Sequence, residues 1–260
     1  MKLYLAGLKS YQLDLGIECT AFKDPRLECP IQGIKRDHNQ PERRIRTPLT
    51  HPHLLAIVTL LPVSSYDNIV LRAAFTLAFA GFLRVGEFTY KEADRELGTS
   101  YSKWFLTKQS ITVAERGTFM QLTLPASKTD PFRKGITLTI AASSDTGCPV
   151  HAMTRLQGVD HHRPQSAPLF CIGRDQQQAF TREHVVRNLQ RLATSAGLEQ
   201  GTWNGHSFRR GAATWAVEMG ISDNEIQILG RWRSDAYRAY IEYSAEEQIS
   251  LSKRFQHQST

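Results

Sequence analysis

Three short stretches of this 260-residue chain hold side chains whose types and spacing suit chemistry better than packing. In AGFLRVGEF, Arg84 and Glu87 emerge from the end of a deeply apolar run. Burying an isolated guanidinium is costly, so a charge placed there must be paired or must hold an anion. In GHSFRRG, His206 and Arg209 stand three apart at a predicted helix start, which puts both on one side of whatever sits there. Free backbone N–H groups and the positive end of the helix dipole favour an oxyanion at such a start. His supplies proton transfer near neutral pH, and Arg supplies a bidentate fork. In LGRWRSDAYRAYIEY, Trp232 follows a helix-ending Gly230, and Tyr237, Tyr240 and Tyr243 recur at helical spacing. Each stretch also has a plainer reading. These are an Arg84–Glu87 pair that only caps a helix, a core histidine beside a surface arginine, and the aromatic face of a packed helix.

The elements that must position these residues are mostly helical. After HPHLLAIVTLL, a run capped by Asp67 or Asn68 carries Leu71, Phe75, Ala78, Phe79 and Phe82 on one helical face, while Ile69, Val70, Ala74 and Leu77 fill the others. This predicts a helix buried nearly all round. Between Ile111 and Ile140 the period changes to two: Met120, Leu122 and Leu124, then Ile136, Leu138 and Ile140, alternate with polar residues. An antiparallel sheet of about three short strands follows, with turns at Arg116-Gly117 and at SKTDPFRKG. Thr181 is expected to cap a helix bearing Val185, Leu189 and Leu192, and Ser207 one bearing Phe208, Ala212, Trp215 and Met219. Ser222 and Glu225 form a capping box for a helix that closes at Gly230.

Composition narrows the function class. With 41% hydrophobic and 22% charged residues, disorder, collagen-like repetition and coiled coil are excluded. The formal net charge of +7 points toward a polyanionic partner. Four scattered cysteines, without a CxxC pair or zinc-finger spacing, indicate neither a disulfide framework nor a structural metal, and so a reducing compartment. The apolar run of residues 69–83 contains Arg72 and is too short to span a bilayer, and MKLYLAGLKSYQLD has no signal-peptide pattern. A soluble intracellular protein is expected, with no membrane partner. Residues 1–46 read as a partial helical segment and a basic linker, with Lys35, Arg36, Arg43, Arg44 and Arg46 beside two prolines. That run is either a solvated connector or a set of phosphate contacts.

Taken in order, Arg84, a lysine in the β-turn (Lys128), His206-x-x-Arg209, Gly230-x-Trp232 and Tyr240 resemble the catalytic domain of the tyrosine recombinases, the phage-integrase type, over about residues 47–243. ASKTDPFRKG and LGRWRSDAYRAYI are most similar to the eukaryotic mobile-element branch, of Crypton and DIRS-element kind. The resemblance implies a mainly helical α+β catalytic fold at residues 47–260, preceded by a truncated core-binding segment at residues 1–46. It also implies a metal-independent DNA recombinase or integrase that works without a cofactor on double-stranded DNA, takes no small-molecule substrate, and allows a homo-tetramer on DNA. A nuclear location follows for a eukaryotic source.

Carried over residue by residue, the resemblance makes Arg84 and Arg209 the clamp on the scissile phosphate and Glu87 the group that orients Arg84. His206 becomes the general acid/base and Lys128 the mobile turn lysine. Trp232 becomes a donor to a non-bridging oxygen and Tyr240 the nucleophile, preferred over Tyr237 and Tyr243 because its Tyr-Ile pair fits the family's motif. Arg210 and the basic run would contact DNA. Two departures stand out. Trp232 lies eight residues before Tyr240, whereas the family carries His or Trp at nine, where this chain has Arg231; Trp232 is chosen on its chemistry and the Gly-x-Trp wording, with Arg231 kept as the alternative. The helical part ahead of the catalytic domain is also shorter than the family's. Alternative readings are a domesticated, catalytically silent DNA-binding protein, a type IB topoisomerase-like activity, and a helix-turn-helix regulator built on the helices after Ser207 and Ser222.

Overall fold

The computed structural model describes residues 2–37, 47–125, 135–173, 175, 177–198, 202–232, 238, 249 and 252. The chain divides into two compact units, residues 1–45 and 46–260. The first contains helices α1 (Lys2–Asp14) and α2 (Pro25–Asp37), joined through a short 3-10 turn at Thr20–Lys23. Helix α2 runs on to Asp37, so Lys35 and Arg36 belong to its last turns and not to an extended linker. Arg43, Arg44 and Arg46 lie outside the described residues.

The second unit is built around one apolar helix. Helix α3 (His51–Thr59) leads to α4 (Tyr66–Ala80), in which residues 69–71 and 73–79 are all buried. The all-round apolar pattern read from the sequence is therefore the interior of the domain. Ser65 takes the N-cap position of α4, ahead of the expected Asp67 or Asn68. The Asp67 carboxylate instead accepts the Gly173 N–H at 2.9 Å, a tertiary bond that sequence spacing does not announce. Arg72, the one cation of α4, reaches back to α3. It donates to the Val58 carbonyl at 2.5 Å and the Leu61 carbonyl at 3.5 Å, supplying partners for carbonyls that a helix end leaves open.

Helix α5 (Val85–Phe88) follows, and then the sheet of β1 (Ile111–Val113), β2 (Phe119–Leu124) and β3 (Ile136–Ala141), antiparallel in the order β1-β2-β3. Met120, Leu122 and Leu124 are buried, as their alternation requires. The face opens along β3, where Ile140 is buried but Ile136 is exposed. The β1–β2 turn falls at Gly117, which has φ of 63°. The β2–β3 turn, with Lys128, lies outside the described residues.

Beyond the sheet come α6 (Pro149–Val159), a small antiparallel pair of β4 (Cys171–Ile172) and β5 (Gln178–Ala179), α7 (Arg182–Ser195), α8 (Ser207–Glu218) and α9 (Asp223–Gly230). Helix α4 packs against α3, α6 and α8. A buried polar network locks the end of α6. Arg163 donates to both Asp160 carboxylate oxygens at 2.6 and 2.5 Å, to Pro168 O at 3.0 Å and to Cys171 Sγ at 3.0 Å. The Lys108 ammonium donates to the Asp160 carbonyl and, at 2.8 Å, to that of Arg163, and lies 3.8 Å from the Asp160 carboxylate. All four cysteines are free, and among the described residues no helix is long and apolar enough to cross a membrane.

Candidate active site

The site is assembled where two helices end. Helix α4 stops at Gly81, and the chain leaves it through Phe82 N–H to Phe79 O at 3.1 Å and Leu83 N–H to Ala78 O at 2.8 Å. This bond pair is the Schellman pattern, and it puts Phe82 in the left-handed region with φ of 49°. Helix α9 stops in the same way. Arg231 N–H donates to Ile228 O at 3.2 Å and Trp232 N–H to Gln227 O at 3.0 Å, with Arg231 at φ 56°. Glycine is the usual occupant of both positions. Phe82 and Arg231 are the two non-glycine residues with positive φ among the described residues. Each holds a conformation that costs an L-residue roughly 1–2 kcal/mol, the kind of strain that gathers at functional sites.

The arginines bind the two ends together. Arg209, fully buried in α8, donates to Phe82 O at 2.6 Å and to Gly230 O at 2.5 Å. Its guanidinium carbon lies 4.2 Å from the centroid of the Trp232 ring, a cation–π stack, and the Phe82 ring meets Trp232 edge-on at 6.0 Å. Gly230 makes this possible. A Cβ there would fall 1.5 Å from the Trp232 ring, so only glycine lets the indole fold back over the helix end. Arg231 donates to Gly81 O at 2.7 Å and Phe82 O at 3.4 Å and pairs with one oxygen of Glu87 at 3.0 Å. The other Glu87 oxygen accepts from the Arg84 guanidinium at 2.9 Å, and the Arg84 N–H donates to Glu87 at 2.8 Å.

Glu87 is thus a bridge between two arginines. The Arg84 side chain is 37% exposed while those of Glu87 and Arg231 are 9% and 11% exposed, so Arg84 presents outward and its supports stay inside. Burial pulls the Arg231 guanidinium down from the ordinary arginine range, Glu87 acts against that, and nearby Arg84 adds to it.

His206 joins this group through backbone packing. A Cβ on Gly205 would sit 2.4 Å from Val85 Cγ1, so the turn before α8 presses directly against the residue that follows Arg84. His206 takes the N-cap position, and Ser207, the expected cap, is the first helical residue. The Ser207 hydroxyl accepts from the Asn204 N–H at 3.0 Å, and the His206 N–H donates to the Asn204 side chain at 2.9 Å, which fixes the turn from its upstream side. Arg210 lies half-buried on α8.

Of the residues proposed from sequence, the structure gathers Arg84, Glu87, Arg209 and Trp232 around the Gly81–Phe82 turn, with His206 on the adjoining turn. Lys128 and Tyr240, with Tyr237 and Tyr243, lie outside the described residues, as do the side chains of Lys35 and Arg36. Arg231, the alternative reached by counting nine residues back from Tyr240, is also a member. Both Arg231 and Trp232 belong to the cluster, in different places. The helix-turn-helix reading is poorly served, since α9 has eight residues and opens on Asp223 and Glu225.

The model of the phage integrase family matches residues 131–247. That span holds His206, Arg209, Arg231, Trp232 and Tyr240, and Arg84, Glu87 and Lys128 precede it. No curated protein sequence matches the chain. Among solved structures, the chain is similar to the XerH site-specific recombinase bound to palindromic difH substrate, at TM-score 0.61 and 15% identity, covering 84% of this chain and 55% of that one. It is also similar to XerA recombinase, at TM-score 0.57 and 15% identity, covering 85% and 67%. A lambda integrase dimer bound to a COC′ core site matches at TM-score 0.51 and 18% identity, covering 93% and 80%. The chain spans about half the length of the XerH structure. Residues 131–247 match the phage integrase family model, and the chain shares its fold with the XerH and XerA recombinases.

Proposed function

We propose that this chain cuts and rejoins double-stranded DNA through a 3′-phosphotyrosyl intermediate. The observation that carries the reading is the Arg84–Glu87–Arg231 bridge and the Arg209–Trp232 stack meeting on one strained turn, beside His206. Attack on a phosphodiester builds negative charge on the non-bridging oxygens, and fixed guanidiniums can stabilise it without a metal. In this reading Tyr240 Oη attacks phosphorus and passes its proton to His206. The bond from phosphorus to the 5′ oxygen breaks, and Lys128 protonates that oxygen as it leaves. The new phosphotyrosyl bond replaces the lost phosphodiester, so a 5′-hydroxyl can reverse the step without ATP.

The finer reading is a mobile-element recombinase of Crypton and DIRS-element kind, supported by the wording of ASKTDPFRKG and LGRWRSDAYRAYI. It carries with it a homo-tetramer on DNA, a nuclear setting in a eukaryotic source, and phosphate contacts from Lys35, Arg36, Arg43, Arg44, Arg46 and Arg210. Related solved structures are described with DNA: XerH is bound to difH substrate and lambda integrase to a core site. The test is a pool of randomised duplexes with a nick beside the scissile position, so that a short 5′-hydroxyl strand diffuses away after cleavage. A denaturation-resistant protein–DNA adduct that forms equally in EDTA is expected. A strict requirement for magnesium in cleavage contradicts the mechanism.

A further inference from the structure

We propose that Arg231 is a positioning residue, one that holds Arg84 in its phosphate-facing orientation by clamping Glu87 from the far side. The inference rests on the cleavage reading above and deepens it. Glu87 has two carboxylate oxygens, and the structure gives them separate duties. One accepts from the Arg84 guanidinium at 2.9 Å, and the other accepts from the Arg84 N–H at 2.8 Å and from Arg231 at 3.0 Å. A carboxylate held by one arginine can swing with it, whereas one gripped from both sides cannot. Arg231 is itself anchored, since its guanidinium also donates to the carbonyls of Gly81 and Phe82, and the Phe82 carbonyl is the one that Arg209 holds. The two halves of the phosphate clamp are therefore joined through a single strained turn.

The backbone at Arg231 supports a role for its side chain. The position is left-handed, at φ 56° and ψ 41°, where glycine would serve the helix end better. Placing an arginine there is unfavourable for the fold alone, and its guanidinium runs inward to 11% exposure beside another cation. With Glu87 9% exposed and Arg84 37% exposed, Arg231 stands behind the carboxylate and not at the mouth of the site.

The experiment compares wild type, Arg231→Gly, Glu87→Gln and the double variant in single-turnover cleavage of the nicked duplex, together with duplex affinity and thermal midpoint. Arg231→Gly relieves the left-handed backbone but takes a donor from the Gly81 and Phe82 carbonyls and from Glu87, so its thermal midpoint should fall modestly, and all rates are compared well below it. Its cleavage rate should fall about ten- to a hundredfold, the range typical when a supporting partner is lost, with duplex affinity unchanged. The double variant should be no slower than the worse single one, because both changes break the same bridge. A wild-type rate in Arg231→Gly overturns the proposal, and so do rate losses that multiply, which would make Arg231 an independent phosphate ligand. Should wild type form no adduct, the cleavage reading itself fails. The clamp is then judged by arginine side-chain NMR in the free protein. Restricted rotation of the Arg84 guanidinium that is lost in Arg231→Gly supports the clamp, and signals unchanged by the substitution refute it.

Discussion

Arg209 shows how one buried side chain can join two helix ends. Its guanidinium is wholly buried, holds the carbonyls of Phe82 and Gly230 through its two terminal nitrogens and carries the Trp232 ring. Replacement by lysine leaves one ammonium for two carbonyls that point along different directions. Arg209→Lys should lower the free energy of unfolding by about 1–3 kcal/mol, from buried carbonyls left without partners, and should recover little of the cleavage lost in Arg209→Ala. Urea denaturation and single-turnover rates measure the two effects separately. In the proposed mechanism Lys128 has a narrower task, to protonate the departing 5′ oxygen. Lys128→Ala should be slower on an ordinary duplex by roughly two to four powers of ten. On a duplex whose bridging 5′ oxygen is replaced by sulfur it should approach wild type, because a thiolate leaves without a proton. Equal impairment on both substrates would make Lys128 a DNA contact instead.

At the scale of elements, what the sequence discloses depends on whether a signal is local. Thr181 accepts the His184 N–H at 3.1 Å, and Ser222 with Glu225 forms the expected capping box, because both motifs close within one turn. Hydrogen bonds from Ser222 also hold the Glu225 carboxyl below its ordinary range. Asp67 does not cap its helix for a tertiary reason, since its carboxylate is taken by the Gly173 N–H, whereas Ser207 is displaced locally, its hydroxyl taken by the Asn204 N–H three residues upstream. Strands β4 and β5, two residues each, are too short to show a period. The motif residues of the site were legible by type, but the junction that gathers them was not. No propensity places Phe82 or Arg231 in a left-handed conformation, and nothing local links Gly205 to Val85. The network at the end of α6 was equally silent, because Lys108, Asp160 and Arg163 are distant or ordinary in sequence. Asp160→Ala should lower stability by about 3–5 kcal/mol, since it strands two buried cations, and a shift of the urea midpoint at constant slope would measure it.

For the whole molecule, the stability of the domain should depend on pH through His184. This side chain packs beside Phe180 and contacts Asn188, and burial, with Asp67 acting against it, lowers its proton affinity. A histidine kept neutral by folding takes up its proton more readily once unfolded. Its contribution is therefore full above about pH 6.5 and is lost as pH falls through and below that value. Urea midpoints on either side of that pH should fall in the acid for wild type and fall less for His184→Gln. Cleavage is the larger claim, and it has a sharper test: digestion of the covalent adduct and mass mapping of the peptide that carries the nucleotide. One modified residue is expected, Tyr240, joined to the 3′ phosphate, with no adduct from Tyr240→Phe despite an unchanged fold and duplex affinity. Nucleotide on Tyr237 or Tyr243, linkage to the 5′ end, or an adduct that survives in Tyr240→Phe would contradict it.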